Sequence, residues 1–290
     1  MTPSLLEILT TNEHPKHIVP ISSSSSSFFF NLLSSSFEFF APMADAVILL
    51  GFWSSPFVMR VKIALAEKGV ECESREEENL RDKSPLLLEM NPVKKQVPVL
   101  IHNGKPVCES MIIVQYIDEV WKNKSALLPS DPYKRAQARF WADFVDKKIY
   151  SLGNQLLLST GEDQEAAKSE LIECFKLLEG ELGDKPYFGG ETFGLVDVSL
   201  IPCSCWFYGY EQWGKISMEK ECPKLVDWAH RCMKRESVSK SIPDQHKVYD
   251  FLTEIKMKIG SKWNSESNYD ALLRIKGEEI KLILSMIESV

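Results

Sequence analysis

Three short pieces of this chain carry residues whose types and order suit thiol chemistry: Ser54-Ser55-Pro56, Gln96-Val97-Pro98 and Glu109-Ser110. In the first, an apolar run from Val47 ends in two hydroxyls and a proline, and proline fits the first turn of a helix because its missing N–H is not needed there. The Ser55 hydroxyl then faces the positive end of a helix dipole. A thiolate placed at that end gains a hydrogen bond and a favourable field, the two influences that lower thiol pKa at helix N-termini. Taken singly, each piece has a plainer reading. Ser-Pro before an amphipathic helix is a cap, Val-Pro is an ordinary trans bond, and Glu-Ser before an apolar helix is an N-terminal signature of that helix. Their order on strand, helix, strand, strand, helix is what points to a site for a thiol peptide.

Those pieces need elements to position them. The patterning predicts a buried strand over Val47 to Trp53, an amphipathic helix over Pro56 to Lys68 closed by Gly69, and a second strand over Val70 to Glu76. A short helix over Asp82 to Met90 ends at Asn91-Pro92. Strands over Val97 to Ile101 and Lys105 to Cys108 flank His102-Asn103-Gly104, and Asn-Gly is the strongest short hairpin signal. A helix over Ser110 to Trp121 follows. The order β-α-β-α-β-β-α gives a small mixed sheet with helices, a thioredoxin-like arrangement. Beyond a polar link the pattern is helical: Pro132 to Leu158, Asp163 to Leu182, Asp197 to Trp213, Cys222 to Arg235 and Pro243 to Ile259. The expected organisation is an α/β domain over 45–122, an all-helical domain over 131–260, and extensions over 1–44 and 261–290.

Composition narrows the partners. The 290 residues are 44% hydrophobic, enough for packed cores, and the net charge of −7 with no basic stripe argues against nucleic acid. The seven cysteines are odd in number and scattered, with no Cys-x-x-Cys, and read as reduced, buried thiols of the cytoplasm. The histidines lack metal-ligand spacing, so no metal is expected. No apolar run reaches the ~18 residues of a spanning helix, so no membrane partner is expected either. Residues 1–42 hold ten Ser and six Phe with one lysine, which matches neither a transit peptide nor a secretory leader and reads as a disordered extension. Beyond Gly260, Asp270 is placed to cap one more helix carrying Leu273, Ile280, Ile283, Leu284 and Ile287.

Several motifs together resemble the glutathione S-transferases, and most closely the plant tau class, over roughly residues 45–260. They are Phe52-Trp53-Ser54-Ser55-Pro56-Phe57, Asn91-Pro92, Val97-Pro98-Val99-Leu100, Cys108-Glu109-Ser110, Phe140-Trp141-Ala142-Asp143, Tyr187-Phe188-Gly189-Gly190 and Pro243-Asp244-Gln245. The resemblance implies a thioredoxin-like N-terminal domain, an all-α C-terminal domain, and glutathione as co-substrate. It implies transfer of the glutathione thiolate to small hydrophobic electrophiles, with hydroperoxide reduction as a second activity and a place in detoxification and stress response. By the same resemblance Ser55 activates the thiol, and Val97 and Pro98 present the cysteinyl part. Glu109 and Ser110 hold the γ-glutamyl end, while Lys83 lies at the glycyl carboxylate with Lys95 and Gln96. The electrophile lies against Trp53, Phe57, Leu80, Tyr150, Asn154, Trp206, Phe251, Ile255 and Lys258, and the molecule is a cytoplasmic homodimer. The sequence departs from the class at Ser54, where proline is common, at Gln96, where lysine is common, and at Asn154, where arginine is frequent. A carrier of hydrophobic ligands without turnover is the alternative. A thiol-disulfide enzyme is disfavoured, because serine cannot form the mixed disulfide.

Overall fold

The computed structural model describes residues 46–77, 82–122, 124 and 126–265, which fall within one compact unit, Pro42–Val290. The extension 1–44 and the helix expected from Asp270 lie outside the described residues.

The N-terminal half runs β1 (Val47–Gly51), α1 (Pro56–Lys68), β2 (Glu73–Glu76), α2 (Pro85–Met90), β3 (Val99–His102), β4 (Lys105–Cys108) and α3 (Ser110–Val120). The sheet order is β2-β1-β3-β4, with β1 parallel to β2 and antiparallel to β3, and β3 antiparallel to β4. This is the thioredoxin-like arrangement. Asn103 and Gly104 both take positive φ, 51° and 76°, the conformation that a two-residue hairpin turn demands. Gly69 closes α1 in the left-handed region at φ 63°.

Among the predicted boundaries that shift, three show a local setting. The first strand stops at Gly51 because the N–H of Ser55 bonds to the carbonyl of Phe52 (3.0 Å) and makes a turn of Phe52 to Ser55. The second strand keeps only Glu73–Glu76, an exposed sheet edge in which three of the four residues are charged. The short helix begins at Pro85, not Asp82, because Ser84 caps it: its Oγ accepts from the N–H of Leu87 at 3.1 Å.

The second half is helical: α4 (Pro132–Phe144), α5 (Ser151–Leu158), α6 (Glu162–Leu182), α7 (Leu195–Leu200), α8 (Phe207–Gly214), α9 (Met218–Glu221), α10 (Pro223–Met233), α11 (Glu236–Ser239) and α12 (Gln245–Ser265). The predicted helix from Pro132 to Leu158 is one run, but Val145–Tyr150 within it is a π-helix. The predicted helix from Asp197 to Trp213 is interrupted by a 3₁₀ segment, Ile201–Trp206. Pro202 explains that change, since it lacks the N–H that an α-helix would use. The last helix runs past Gly260, so the boundary expected there does not coincide with a helix end.

Every residue of α7 is buried, and Asp197 ties its start to the Gly189-Gly190 loop. One carboxylate oxygen accepts from the N–H of Phe188 (3.0 Å) and from Trp228 Nε1 (2.8 Å), the other from the N–H of Gly194 (2.9 Å). Burial pushes this carboxyl up to about 6, while the N–H groups pull the other way. Asparagine offers one oxygen where two are used, and its amide would face a donor. Asp197→Asn is therefore expected to cost about 2–4 kcal/mol at pH 7. That is read as a lower urea midpoint with an unchanged slope, and an unchanged midpoint contradicts the assignment.

Candidate active site

Ser55 is the cap of α1. Its φ and ψ are −73° and 117°, its Oγ accepts from the N–H of Val58 at 3.4 Å, and its carbonyl accepts from Val58 and Met59, each at 3.1 Å. Ser54, also buried, sits inside the preceding turn and does not cap the helix. Of the two hydroxyls, Ser55 is the one at the helix's positive end.

The next loop is organised by Asn91, which is buried. Its Nδ2 donates to the carbonyl of Gln96 (3.0 Å), its Oδ1 accepts from the N–H of Lys94 (3.2 Å), and its carbonyl accepts from the N–H of Lys95 (2.9 Å). One side chain thus shapes the stretch that presents Lys94, Lys95 and Gln96 and leads into Val97-Pro98. The Val97-Pro98 bond is cis. Lys83 lies near Lys95: partial burial and then the Lys95 charge lower its pKa, with Glu77 opposing. Glu77 in turn accepts from the Ser84 N–H (2.9 Å) and hydroxyl (2.6 Å), which fixes the start of α2 beside Lys83. Two ammonium groups that repel each other are suited to a ligand carboxylate. The Gln96 side-chain oxygen is buried without a hydrogen-bond partner.

Glu109 departs from the helix-signature reading. Its side chain makes no cap bond, its φ is 72°, a region costly for a non-glycine residue, and its carboxylate pairs with Lys94 at 3.1 Å. A strained residue between β4 and α3 that aims a half-exposed carboxylate is a feature of sites rather than of helix starts.

Ser110 belongs to a buried polar network. Its hydroxyl accepts from Arg60 Nη1 at 3.2 Å, and Arg60 is fully buried. Arg60 Nη2 bonds and ion-pairs with Asp146 of the π-helix, and Nε donates to the carbonyl of Ser199 at 3.0 Å. That carbonyl is available because in the 3₁₀ register its donor would be the nitrogen of Pro202, which carries no hydrogen. Tyr150 also donates to it, at 3.3 Å. The guanidinium lies 5.1 Å from the centre of the Phe57 ring and 5.0 Å from that of Tyr150. Burial works against its charge, yet Asp146 and Tyr150 outweigh burial and hold its pKa above the ordinary value. The pattern of α1 gave no signal for this arginine.

The expected electrophile lining divides into two groups. Trp53, Phe251 and Ile255 are half-buried, and the Trp53 and Phe251 rings meet edge to face at 5.2 Å. Phe57 and Tyr150, at 1% and 2% exposure, are interior residues that pack on Arg60. Asn154 and Trp206 are buried too, and Asn154 Oδ1 and Trp206 Nε1 have no hydrogen-bond partner. Leu80 and the side chain of Lys258 lie outside the described residues. Among the described residues no cluster of three or more His, Cys, Asp or Glu could hold a metal, and no helix is long and apolar enough to cross a membrane.

Residues 45–119 match the family model of the glutathione S-transferase N-terminal domain, and residues 140–236 that of the C-terminal domain. The chain belongs to the glutathione S-transferase family. The tobacco protein named probable glutathione S-transferase parC is 62% identical over 217 residues, covering 74% of this chain and 98% of its own length. Soybean glutathione S-transferase 3 is 59% identical over 220 residues, covering 76% and 100%. Among solved structures, a rice glutathione S-transferase in complex with glutathione has TM-score 0.72 and 47% identity over 74% of this chain and 98% of that one. A tau-class enzyme from mango has TM-score 0.69 and 41% identity over 72% and 97%. The relatives place this transferase in the tau class. The motifs read from the sequence thus mark a true family relationship.

The Arg60 network of this transferase is testable by a double-mutant cycle. Arg60→Met leaves Asp146 unpaired and is expected to cost about 3–5 kcal/mol, whereas Arg60→Met with Asp146→Leu recovers a substantial part. Additive losses in urea unfolding contradict a coupled pair.

Proposed function

We propose that this glutathione transferase holds the tripeptide with its sulfur, already ionised, against the N-terminus of α1 and adds it to electrophilic carbons of small apolar compounds. The observation that carries this reading is Ser55 as the side-chain cap of α1. Accepting from Val58 leaves the hydroxyl proton to donate to sulfur, so the serine stabilises the thiolate and does not itself attack. Lowering the thiol pKa by ~2 units from ~8.5 makes the anion common at neutral pH and corresponds to about 3 kcal/mol.

The remaining roles follow the chemistry of each end of the tripeptide. Lys83 and Lys95, with Gln96 beside them, take the glycyl carboxylate. The backbone of Val97, turned by Pro98, pairs with the cysteinyl part. Glu109, shared with Lys94, takes the γ-glutamyl ammonium, and Ser110 with the first N–H groups of α3 takes its carboxylate. The electrophile lies against Trp53, Phe251 and Ile255. Sulfur's lone pair forms the new carbon–sulfur bond while a halide leaves with its bonding pair. With a conjugated carbonyl, the electron pair moves to oxygen and a solvent proton completes the product.

The working unit is a homodimer. Ile112 on α3 and Phe140 on α4 are 56% and 58% exposed, and Gln115 and Arg139 link these two helices at 2.8 Å. Large apolar side chains exposed on joined helices suit a second copy of the same chain. All seven cysteines are free, which suits the reducing cytoplasm.

With an aryl halide as electrophile, Ser55→Ala is expected to lower kcat on the order of a hundredfold near neutral pH. Its glutathione KM changes little and its rate recovers as pH rises, while Ser54→Ala stays close to the parent. Damage from Ser54→Ala in place of Ser55→Ala contradicts the assignment, and a parent that binds glutathione without conjugating leaves the carrier reading. Phe140→Glu is expected to give a monomer in sedimentation, and a persisting dimer contradicts that interface.

A further inference from the structure

The turn closed by Ser55 on Phe52 has Trp53 and Ser54 as its central residues, so the indole is fixed two residues from the thiol-binding cap. Helix α12 covers it. Phe251 meets the rings of Trp53 at 5.2 Å and Phe52 at 5.9 Å. One turn before Phe251 stands Lys247, with Nζ 4.6 Å from the centre of the Trp53 ring. Asp244 sets this position by capping α12, its Oδ1 accepting from the N–H of His246 (2.9 Å) and of Lys247 (3.1 Å).

Elsewhere in the thiol-binding half Lys62 pairs with Glu76 and Lys94 with Glu109, and Lys83 lies beside Lys95. Among the described residues the Lys247 ammonium makes no ion pair with a carboxylate and rests on the indole instead. In a chain of net charge −7, a cation held at this place gives the mouth of the electrophile site a local field opposite to that of the whole protein. An aromatic ring beneath it supplies a flat apolar surface.

We propose that Lys247 is a specificity-determining residue of the electrophile site, favouring compounds that carry a carboxylate or similar anion beside their apolar reacting part. The apolar part lies on Trp53 and Phe251 while the anion meets the ammonium. This inference rests on the placement of the thiol at Ser55.

The test uses two electrophiles that differ only in charge, a chloronitrobenzoic acid and its primary amide, with the parent enzyme, Lys247→Ala and Lys247→Arg. The ratio of kcat/KM for acid over amide is expected to fall about threefold to fivefold in Lys247→Ala, the size of a charge pair at a partly exposed site. Lys247→Arg keeps the ratio, and added salt lowers the parent's ratio towards that of the alanine variant. Equal losses for acid and amide overturn the proposal, as does a change confined to the glutathione KM. A parent that binds glutathione and conjugates neither compound overturns the transferase reading and this inference with it. An active parent with an unchanged ratio overturns this inference alone.

Discussion

A guanidinium without water must find partners for its donors inside the protein, and burying Arg60 therefore constrains almost everything around it. Its partners come from separate parts of the chain: Ser110 at the start of α3, Asp146 in the π-helix, and the Ser199 carbonyl at the end of α7. Phe57 and Tyr150 flank it. Each partner is costly to lose, because a buried charge left short of hydrogen bonds is far worse than one in water. Helix α1 is thereby fixed against both the sheet half and the helical half. Two apparent irregularities belong to the same arrangement. The π-helix carries both Asp146 and Tyr150, and the 3₁₀ segment at Pro202 releases the carbonyl that Arg60 and Tyr150 use.

The consequence for chemistry is positional. Arg60 stands on the helix that Ser55 caps, and it donates directly to the hydroxyl of Ser110. The groups proposed to meet the polar ends of the tripeptide are thus held from behind. Asn91 does for the lysine loop what Arg60 does for Ser110, and Glu77 does the same for the start of α2. Preorganisation of this kind matters because donors already in place need not reorganise as charge gathers on sulfur.

Much of this was legible in the sequence, and the exceptions share a cause. The strand and helix order, the Asn103-Gly104 hairpin, the Gly69 stop and the Ser55 cap all follow from local rules that neighbouring residues satisfy alone. Arg60 and Asp146 escaped because each looks like an ordinary charged residue on an amphipathic helix. Their meaning arises from a pairing across 86 positions, which no local pattern encodes. Glu109 read as a helix signature because its residue type fits one, while its left-handed backbone is visible only in three dimensions. Family resemblance puts Phe57 and Tyr150 beside the electrophile, and only the folded chain shows that both also pack on Arg60. The meeting of Trp53 with Phe251 likewise depends on how α12 packs back over the first turn.

Everything proposed for the site requires the tripeptide's sulfur to be bound as an anion at the start of α1. Titrating the ultraviolet absorbance of the thiolate in the complex, in the parent and in Ser55→Ala, measures this directly. The expected result is a bound-thiol pKa about 2 units below the free value of ~8.5 in the parent, and a return towards that value when the hydroxyl is removed. A bound thiol that titrates like the free one in the parent, or identically in both proteins, contradicts it.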